Sequence, residues 1–407
     1  AALGSWGETI CFDSDVNLQR SMIDDVRPLM VWSMNNNFPR KWAWTNNVGG
    51  GDFLVYHDPA GKKQWNSRMK TSYRRIGPNL SEVTYAGTTA KEKIDLSCTA
   101  QLMRSDDYVR ILYHLRYDVR QEAEYSRLAF FQLGADRYND HTFGLIARGN
   151  AKGLIEEWEP ERGGKRYSRT GIECVGQAPW FSLHEGHSRD ESNSGAWANR
   201  GLVIRSWRAR LGGRESHVPF VSVYGTENGS YKSANVELAP PPGLVRLLPG
   251  DFVEATLVQL TLPQFAEDYY GPNRGLQEVL PEMENSWRLV HREAAGNAPR
   301  VTVSVGNLES EHPIRIRAQG DRAEFALEGG LAHAPVTLSG LSTYREPVLE
   351  QESEAVWKGL DQAVHGRDFW QTDFDPITKT WEITWNVGLD SLEPGGAENR
   401  FRFRMEP

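Results

Sequence analysis

Three cysteines, Cys11, Cys98 and Cys174, are all that 407 residues carry. An odd, sparse set excludes a disulfide framework, and no metal-ligand spacing surrounds any of them. Long apolar runs are missing too: none approaches the ~20 residues that a membrane-spanning helix needs. Positive charge is not in excess. Lys plus Arg number 46 against 54 Asp plus Glu, a net charge of −8, which argues against a nucleic-acid binder with its basic footprint. There is no repeat of fixed period, which argues against a propeller, and no low-complexity tract. Helical periodicity is scarce.

Turn punctuation and aromatic bulk are what the chain does have. It holds 38 Gly and 21 Pro beside 14 Trp, 14 Tyr and 15 Phe. Apolar and polar residues alternate in many segments. Residues 109–119 set Val109, Ile111, Tyr113, Leu115, Tyr117 and Val119 against Arg110, His114, Arg116 and Asp118. Residues 201–211 set Val203, Trp207, Ala209 and Leu211 against Ser206, Arg208 and Arg210. Residues 381–389 and 399–405 alternate in the same way. A period of two over five or more residues predicts half-buried strands. Two stretches read as helix. One is 275–294, where Leu276, Val279, Leu280, Met283, Trp287, Leu289 and Val290 recur near every 3.6 residues and Pro281 sits early or breaks the run. The other is 350–364, with Ala355, Val356, Leu360 and Val364. Many short strands, Gly/Pro turns and few helices predict an all-β fold. The expected organisation is a main β-sandwich over 1–265, a helical connection over 266–297, and a β segment over 298–407. That last segment either belongs to the same sandwich or forms a small second module.

The run Leu247-Leu248-Pro249-Gly250-Asp251-Phe252-Val253-Glu254-Ala255 is a turn followed by a long alternating strand, leading to Leu262-Pro263-Gln264 and the helical region. Together with the Trp-rich strands, this resembles the β-super-sandwich of galactose-mutarotase-like carbohydrate-active proteins, in a style that spans most of the chain. The resemblance implies a large antiparallel β-super-sandwich with one or two short helices. Glycoside hydrolases, polysaccharide lyases and sugar epimerases share that fold, so fold alone does not choose the chemistry.

Three clusters carry residues suited to sugar chemistry. The first is 184–193, in which His184, Glu185 and His187 supply groups that give and take protons near neutral pH. Its His-x-x-His spacing also suits a metal, and its bland reading is a solvated loop. In the second, Arg127 lies on a strand that runs to Asp136, Tyr138, Asp140 and His141, which read as a strand-end site or as a tight Asp/Asn turn. In the third, Trp42 and Trp44 share a face of an extended segment and precede Asn46 and a Gly run ending at Asp52, an aromatic platform or a buried pair with a hairpin. Weaker candidates are Glu156, Glu157 and Glu159 beside Trp158, and Asp373 with Asp375. Arg205 lies on a strand with Arg208 and Arg210, and strict alternation puts it on the opposite face from the other two. Arginine there suits uronate or sulfate, because its planar fork pairs with carboxylates.

The expected function is cleavage of a glycosidic bond in an oligo- or polysaccharide by a glycoside hydrolase with an aromatic-lined groove. Its catalytic set is His187, Glu185, His184, Asp136 and Tyr138. Its substrate-binding set is Trp42, Trp44, Arg127, Trp180, Arg205 and Asn46. The alternatives are a polysaccharide lyase acting by β-elimination on a uronate, and a non-catalytic glycan-binding protein. No cofactor is expected, beyond at most a structural divalent cation, and neither a nucleic-acid partner nor a membrane span is. Residues 1–10, AALGSWGETI, have no charged or apolar leader pattern, which fits a signal peptide already removed, a trimmed chain or no signal peptide at all; the expectation is a secreted or periplasmic protein.

Overall fold

The computed structural model describes all residues except 1, 6–7, 13–21, 33–40, 45–48, 104–108, 138–144, 160–166, 185–197, 229–230, 264–273, 285, 297–298, 330–332, 361–369, 390–397 and 406–407. The described residues form an all-β protein with two helices. Two compact units are present. The first comprises 1–74, 82–102 and 108–294, and the second 75–81, 103–107 and 295–407.

The first unit is built on two ten-stranded sheets. Along the first sheet run Ile23–Trp32, Gly51–His57, Arg127–Arg137, Tyr231–Ala239 and Phe220–Asn228, all antiparallel neighbours. Along the second run Trp180–His184, Ala198–Leu211, Phe252–Pro263, Val109–Val119 and Ile94–Met103. The alternation of 109–119 puts Ile111, Tyr113, Leu115 and Tyr117 into one core with Phe53, Phe131, Leu133, Val236 and Leu238 of the first sheet. Sheet therefore packs on sheet through interdigitating aromatic and branched side chains, as in a super-sandwich. Phe53, Tyr113 and Phe131 meet at ring separations of 5.9 and 5.0 Å.

The alternation slips at one place in the first sheet. Phe130 and Phe131 both enter the core, and so do Phe53 and Leu54 of the paired strand. Leu54 has φ of 65°, a left-handed conformation that a branched side chain rarely adopts. Two consecutive inward residues shift the phase of everything on one side of them, as at a β-bulge. Residues on either side of the slip that would otherwise face opposite ways now share the outer face.

The second unit holds two five-stranded sheets around its own core of Phe325, Phe401, Phe403, Trp385, Ile383 and Val336. One sheet runs Arg300–Val305, Arg322–Glu328, Glu398–Met405, Pro347–Ser353, Val356–Gly359. The other runs Asn307–Glu311, Ile314–Arg317, His333–Leu341, Thr380–Gly388, Gln371–Asp375. In this unit Glu382 is clamped between Arg75 and Arg315, at 2.6 Å from Arg75 Nη2 and 2.9 Å from Arg315 Nη1.

Three local expectations need correction. The stripe over 275–294 forms two helices, α1 (Arg274–Met283) and α2 (Arg288–Gly296). Pro281 is tolerated inside α1, and the break falls at Ser286, whose hydroxyl accepts the Arg288 N–H and starts the second helix. Residues 350–364 are not helical where they are described. Pro347–Ser353 and Val356–Gly359 make a hairpin whose turn residues Glu354 and Ala355 have φ of 52° and 59°. Finally, the strand Ala198–Leu211 is bulged between Ile204 and Ser206. Val203 then faces away from Trp207, Ala209 and Leu211, and Arg205 shares the outer face with Arg208.

Candidate functional site

The outer face of the first sheet carries a row of polar side chains across four strands. Asp52 pairs in register with Gln132, Gln132 with Glu237, and Glu237 with Ser222. Strands lie ~4.8 Å apart, so Asp52 and Glu237 stand about 10 Å apart at the backbone. Both carboxylates are closed in: Glu237 is 0% exposed and Asp52 3%.

Charges removed from water need partners, and each carboxylate has them. Arg127 donates to Glu237 from Nε at 3.4 Å and from Nη2, and Gln132 donates from Nε2 at 2.6 Å. Arg127 and Gln132 are five positions apart, so strict alternation would point them to opposite faces. The slip at Phe130 and Phe131 is what brings both to one carboxylate. Asp52 accepts from Lys63 Nζ at 3.1 Å and from the Met22 N–H at 3.3 Å. Burial pushes the Asp52 carboxyl above its ordinary value, against the pull of Lys63 and the backbone N–H groups. Two rings complete the rim. The Arg127 guanidinium lies 4.0 Å over Tyr224 and the Lys63 ammonium 3.9 Å over Trp65. Arg127, Gln132, Tyr224, Lys63 and Trp65 are all half-buried, with the carboxylates beneath them. His57, opposite Arg127 in register, is half-buried at the same edge.

Of the residues read from the sequence, Arg127 stands in this row. Asp136 lies further along the same strand, paired with Ser233. Trp42 and Trp44 lie in the strand Lys41–Trp44, paired with Val31 and Leu29. Glu185, His187, Tyr138 and Asn46 fall outside the described residues.

The other three lie on the outer face of the second sheet and serve the protein itself. Trp180 is 0% exposed; its Nε1 donates to the Asn150 carbonyl at 3.0 Å and its ring stacks on Trp287 at 5.8 Å. That indole offers no face to a sugar. Arg205, with its side chain 3% exposed, donates to the Glu293 carbonyl at 2.9 Å and the Ala294 carbonyl at 3.2 Å, and pins α2. His184, 1% exposed, joins Ser182 at 3.1 Å and Glu157 at 2.8 Å, and burial lowers its proton affinity. Ser182 is itself sealed, so this Ser–His–Glu chain has no open nucleophile. Asp375 caps the turn at Ile377 through a 2.8 Å bond.

Glu237, Gln132, Tyr224 and Lys63 were not legible as a site. Each reads as the polar half of an alternating strand or as a turn lysine, and only cross-strand register brings them together. Asp52 closes the Gly run after Trp44, a weak pointer. Gly51 shows why glycine stands there: a Cβ would run into the Gln132 carbonyl oxygen, so only glycine lets this strand lie close against Arg127–Arg137. Among the described residues no group of three or more His, Cys, Asp or Glu is arranged to hold a metal ion, and no helix is long and apolar enough to cross a membrane.

No family model matches the chain, and no curated protein matches it. Among solved structures it is similar to the α-galactosidase of Lactobacillus brevis, at 12% identity over 68% of this chain and 40% of that one, with a TM-score of 0.38. It is similar to the GH36 α-galactosidase AgaA of Geobacillus stearothermophilus, at 9% identity over 66% and 41%, TM-score 0.35. It is also similar to the galactose mutarotase related enzyme of Lactobacillus acidophilus, at 8% identity over 64% and 96%, TM-score 0.33. The chain spans about 40% of the length of the α-galactosidases. What each of these proteins acts on stays with that protein.

Proposed function

We propose that this protein is a carbohydrate-active enzyme that cleaves a glycosidic bond in an oligo- or polysaccharide laid over the outer face of the first sheet. One observation carries the reading: two enclosed carboxylates, Asp52 and Glu237, each bonded to a cation, support a half-exposed rim of Arg127, Gln132, Lys63, Tyr224 and Trp65. Planar N–H donors and a phenol suit sugar hydroxyls, and aromatic rings suit the C–H faces of a pyranose. A row fixed by cross-strand register on a rigid sheet holds such groups in place before substrate arrives, which is where much of a rate enhancement comes from. Glu237 and Asp52 act here as positioning residues, since the substrate meets the rim first.

The test is incubation with a panel of neutral and acidic glycans, reading new reducing ends. The expected result is cleavage of at least one glycan, slowed about 100-fold in Glu237→Gln, the scale of a misplaced binding group. Binding of a glycan without cleavage returns the protein to the non-catalytic alternative. Neither binding nor cleavage removes the carbohydrate reading.

A further inference from the structure

We infer that His57 is the proton acceptor of this site and that the bond breaks by β-elimination at a uronate; this rests on the reading of the site as glycan-cleaving. His57 ends the strand Gly51–His57 opposite Arg127. The turn that follows is tied down by Asp58, whose Oδ1 accepts the N–H groups of Ala60 at 3.1 Å and Lys62 at 2.9 Å. Gly61, at φ of 82°, then brings its carbonyl oxygen to 3.2 Å from His57 Nδ1. A carbonyl oxygen has no proton to give, so Nδ1 must donate. In the neutral ring that leaves the lone pair on Nε2, and the ring is half-buried at the edge of the row rather than sealed within it.

The surroundings keep that ring neutral. Burial disfavours the imidazolium most, Arg127 and Lys63 add repulsion, and Glu237 and the Gly61 carbonyl pull the other way, with a net lowering. A base of this kind is poised to accept a proton at neutral pH. Hydrolysis commonly uses two carboxylates open to the scissile bond, whereas Asp52 and Glu237 are enclosed and bonded to cations. Elimination instead needs a base beside positive charge, which His57, Arg127 and Lys63 supply together.

The step balances without a further reactant. Nε2 takes the proton from C5 of the uronate. The C–H electron pair becomes the C4–C5 double bond, and the bond from C4 to the glycosidic oxygen breaks. That oxygen keeps its electron pair, takes a proton from water or from the Tyr224 hydroxyl, and leaves as a new reducing end. Negative charge that gathers on the uronate carboxylate as the proton departs is offset by Arg127 and Lys63.

The experiment incubates the full chain with polygalacturonate, alginate and chondroitin, beside neutral glycans. It follows both reducing ends and the absorbance of an unsaturated uronate, in the wild type and in His57→Gln. The expected result is unsaturated product from a uronate polymer, slowed at least about 100-fold in His57→Gln, with binding of the polymer retained. Reducing ends without that absorbance overturn the inference while leaving the glycan-cleaving reading standing. Unsaturated product at an unchanged rate in His57→Gln does the same. No cleavage of any glycan overturns both. Should His57→Gln fail to fold, the wild-type pH profile decides: the acid limb of kcat/KM is expected below the ordinary histidine value of 6.5. A limb above it, or none, overturns the assignment. Nitrogen-15 NMR of the histidine side chains gives a reading independent of turnover, in which protonation at Nε2 rather than Nδ1 of His57 also overturns it.

Discussion

Arg127 gives Glu237 two of its guanidinium nitrogens and lays its plane over Tyr224. Lysine has a single compact ammonium to put in place of that fork. Arg127→Lys keeps the charge and loses the geometry, so cleavage is expected to fall at least about 10-fold with the fold intact by circular dichroism. Unchanged kcat/KM would mean that only charge matters there. Trp180 yields the opposite expectation. Its indole N–H and its stack on Trp287 are spent inside the protein, so Trp180→Phe should cost roughly 1–3 kcal/mol in urea unfolding and leave KM for any glycan unmoved. A raised KM with unchanged stability would restore Trp180 as a sugar contact. These two residues mark what single positions disclose in a sequence. Arg127 draws notice in the sequence because it precedes a cluster of polar residues at a strand end. Trp180 is ambiguous in the sequence because an indole in an apolar run looks the same whether it faces solvent or a helix. Glu237, in the strand segment Asn235-Val236-Glu237-Leu238, carries no mark at all until register sets it beside Gln132.

Strands were more legible than the site because their signal is periodic and local. The alternation of 109–119 coincides with the strand Val109–Val119, and that of 399–405 lies within Glu398–Met405. The signal fails where the period breaks. The bulge at Ile204 and Ser206 moves Arg205 to the outer face, and the slip at Phe130 and Phe131 gathers Arg127 and Gln132. Neither break can be read from composition, because each is set by pairing with another strand. Residues 350–364 failed for a related reason: their Glu and Gln favour helix, yet Glu350 is paired with Arg402 on the neighbouring strand. Two element-scale substitutions test how the site is held. Gly51→Ala forces a Cβ against the Gln132 carbonyl oxygen, so Gly51–His57 must move away from Arg127–Arg137. The expected cost is about 1–3 kcal/mol and a loss of cleavage larger than that of stability alone, because Asp52 shifts with the strand. Stability and rate both unchanged would mean the two strands yield without cost. Glu293→Gln removes the carboxylate shared by Arg110, at 2.6 Å, and Arg205, at 3.3 Å. Breaking a buried pair costs about 3–5 kcal/mol, and hydrogen exchange should locate the loss in α2 and the strands carrying the two arginines. Protection unchanged in α2 would show that apolar packing alone holds it down.

The two units differ in the protons they refuse, and that difference sets how the whole chain meets acid. His57, His114 and His184 belong to the first unit, and burial lowers each below its ordinary value of 6.5. A group with a lower folded than unfolded value leaves the folded state holding fewer protons, so stability rises with pH across the gap. Acidification from 6.5 downward therefore weakens the first unit. In the second unit three carboxylates, Glu309, Glu350 and Glu382, are held below their ordinary value. Burial would raise Glu382 and Glu309, but Arg315, with Arg75 for the former and Ser339 and Arg317 for the latter, more than offsets it. Glu350 is lowered first by its hydrogen bond to Arg402. Their stability is fully present above the ordinary value of 4.5 and is lost as pH falls through their lower folded values. Asp52 runs counter, being raised above 3.8 by burial, and acts to soften the acid loss of the first unit. Hydrogen exchange followed by mass spectrometry, corrected for the intrinsic pH dependence of exchange, separates the two responses. Between pH 6.5 and 5 the loss of protection is expected in peptides from 51–74 and 108–294, with those from 300–405 unchanged, and below 4.5 in the latter as well. His114→Gln should flatten the upper part of that curve, because His114 bridges Gln101 at 3.1 Å and Thr256 at 3.2 Å as a neutral ring. Protection lost first in the second unit, or a curve that His114→Gln leaves unaltered, would mean that these histidines do not govern the acid response.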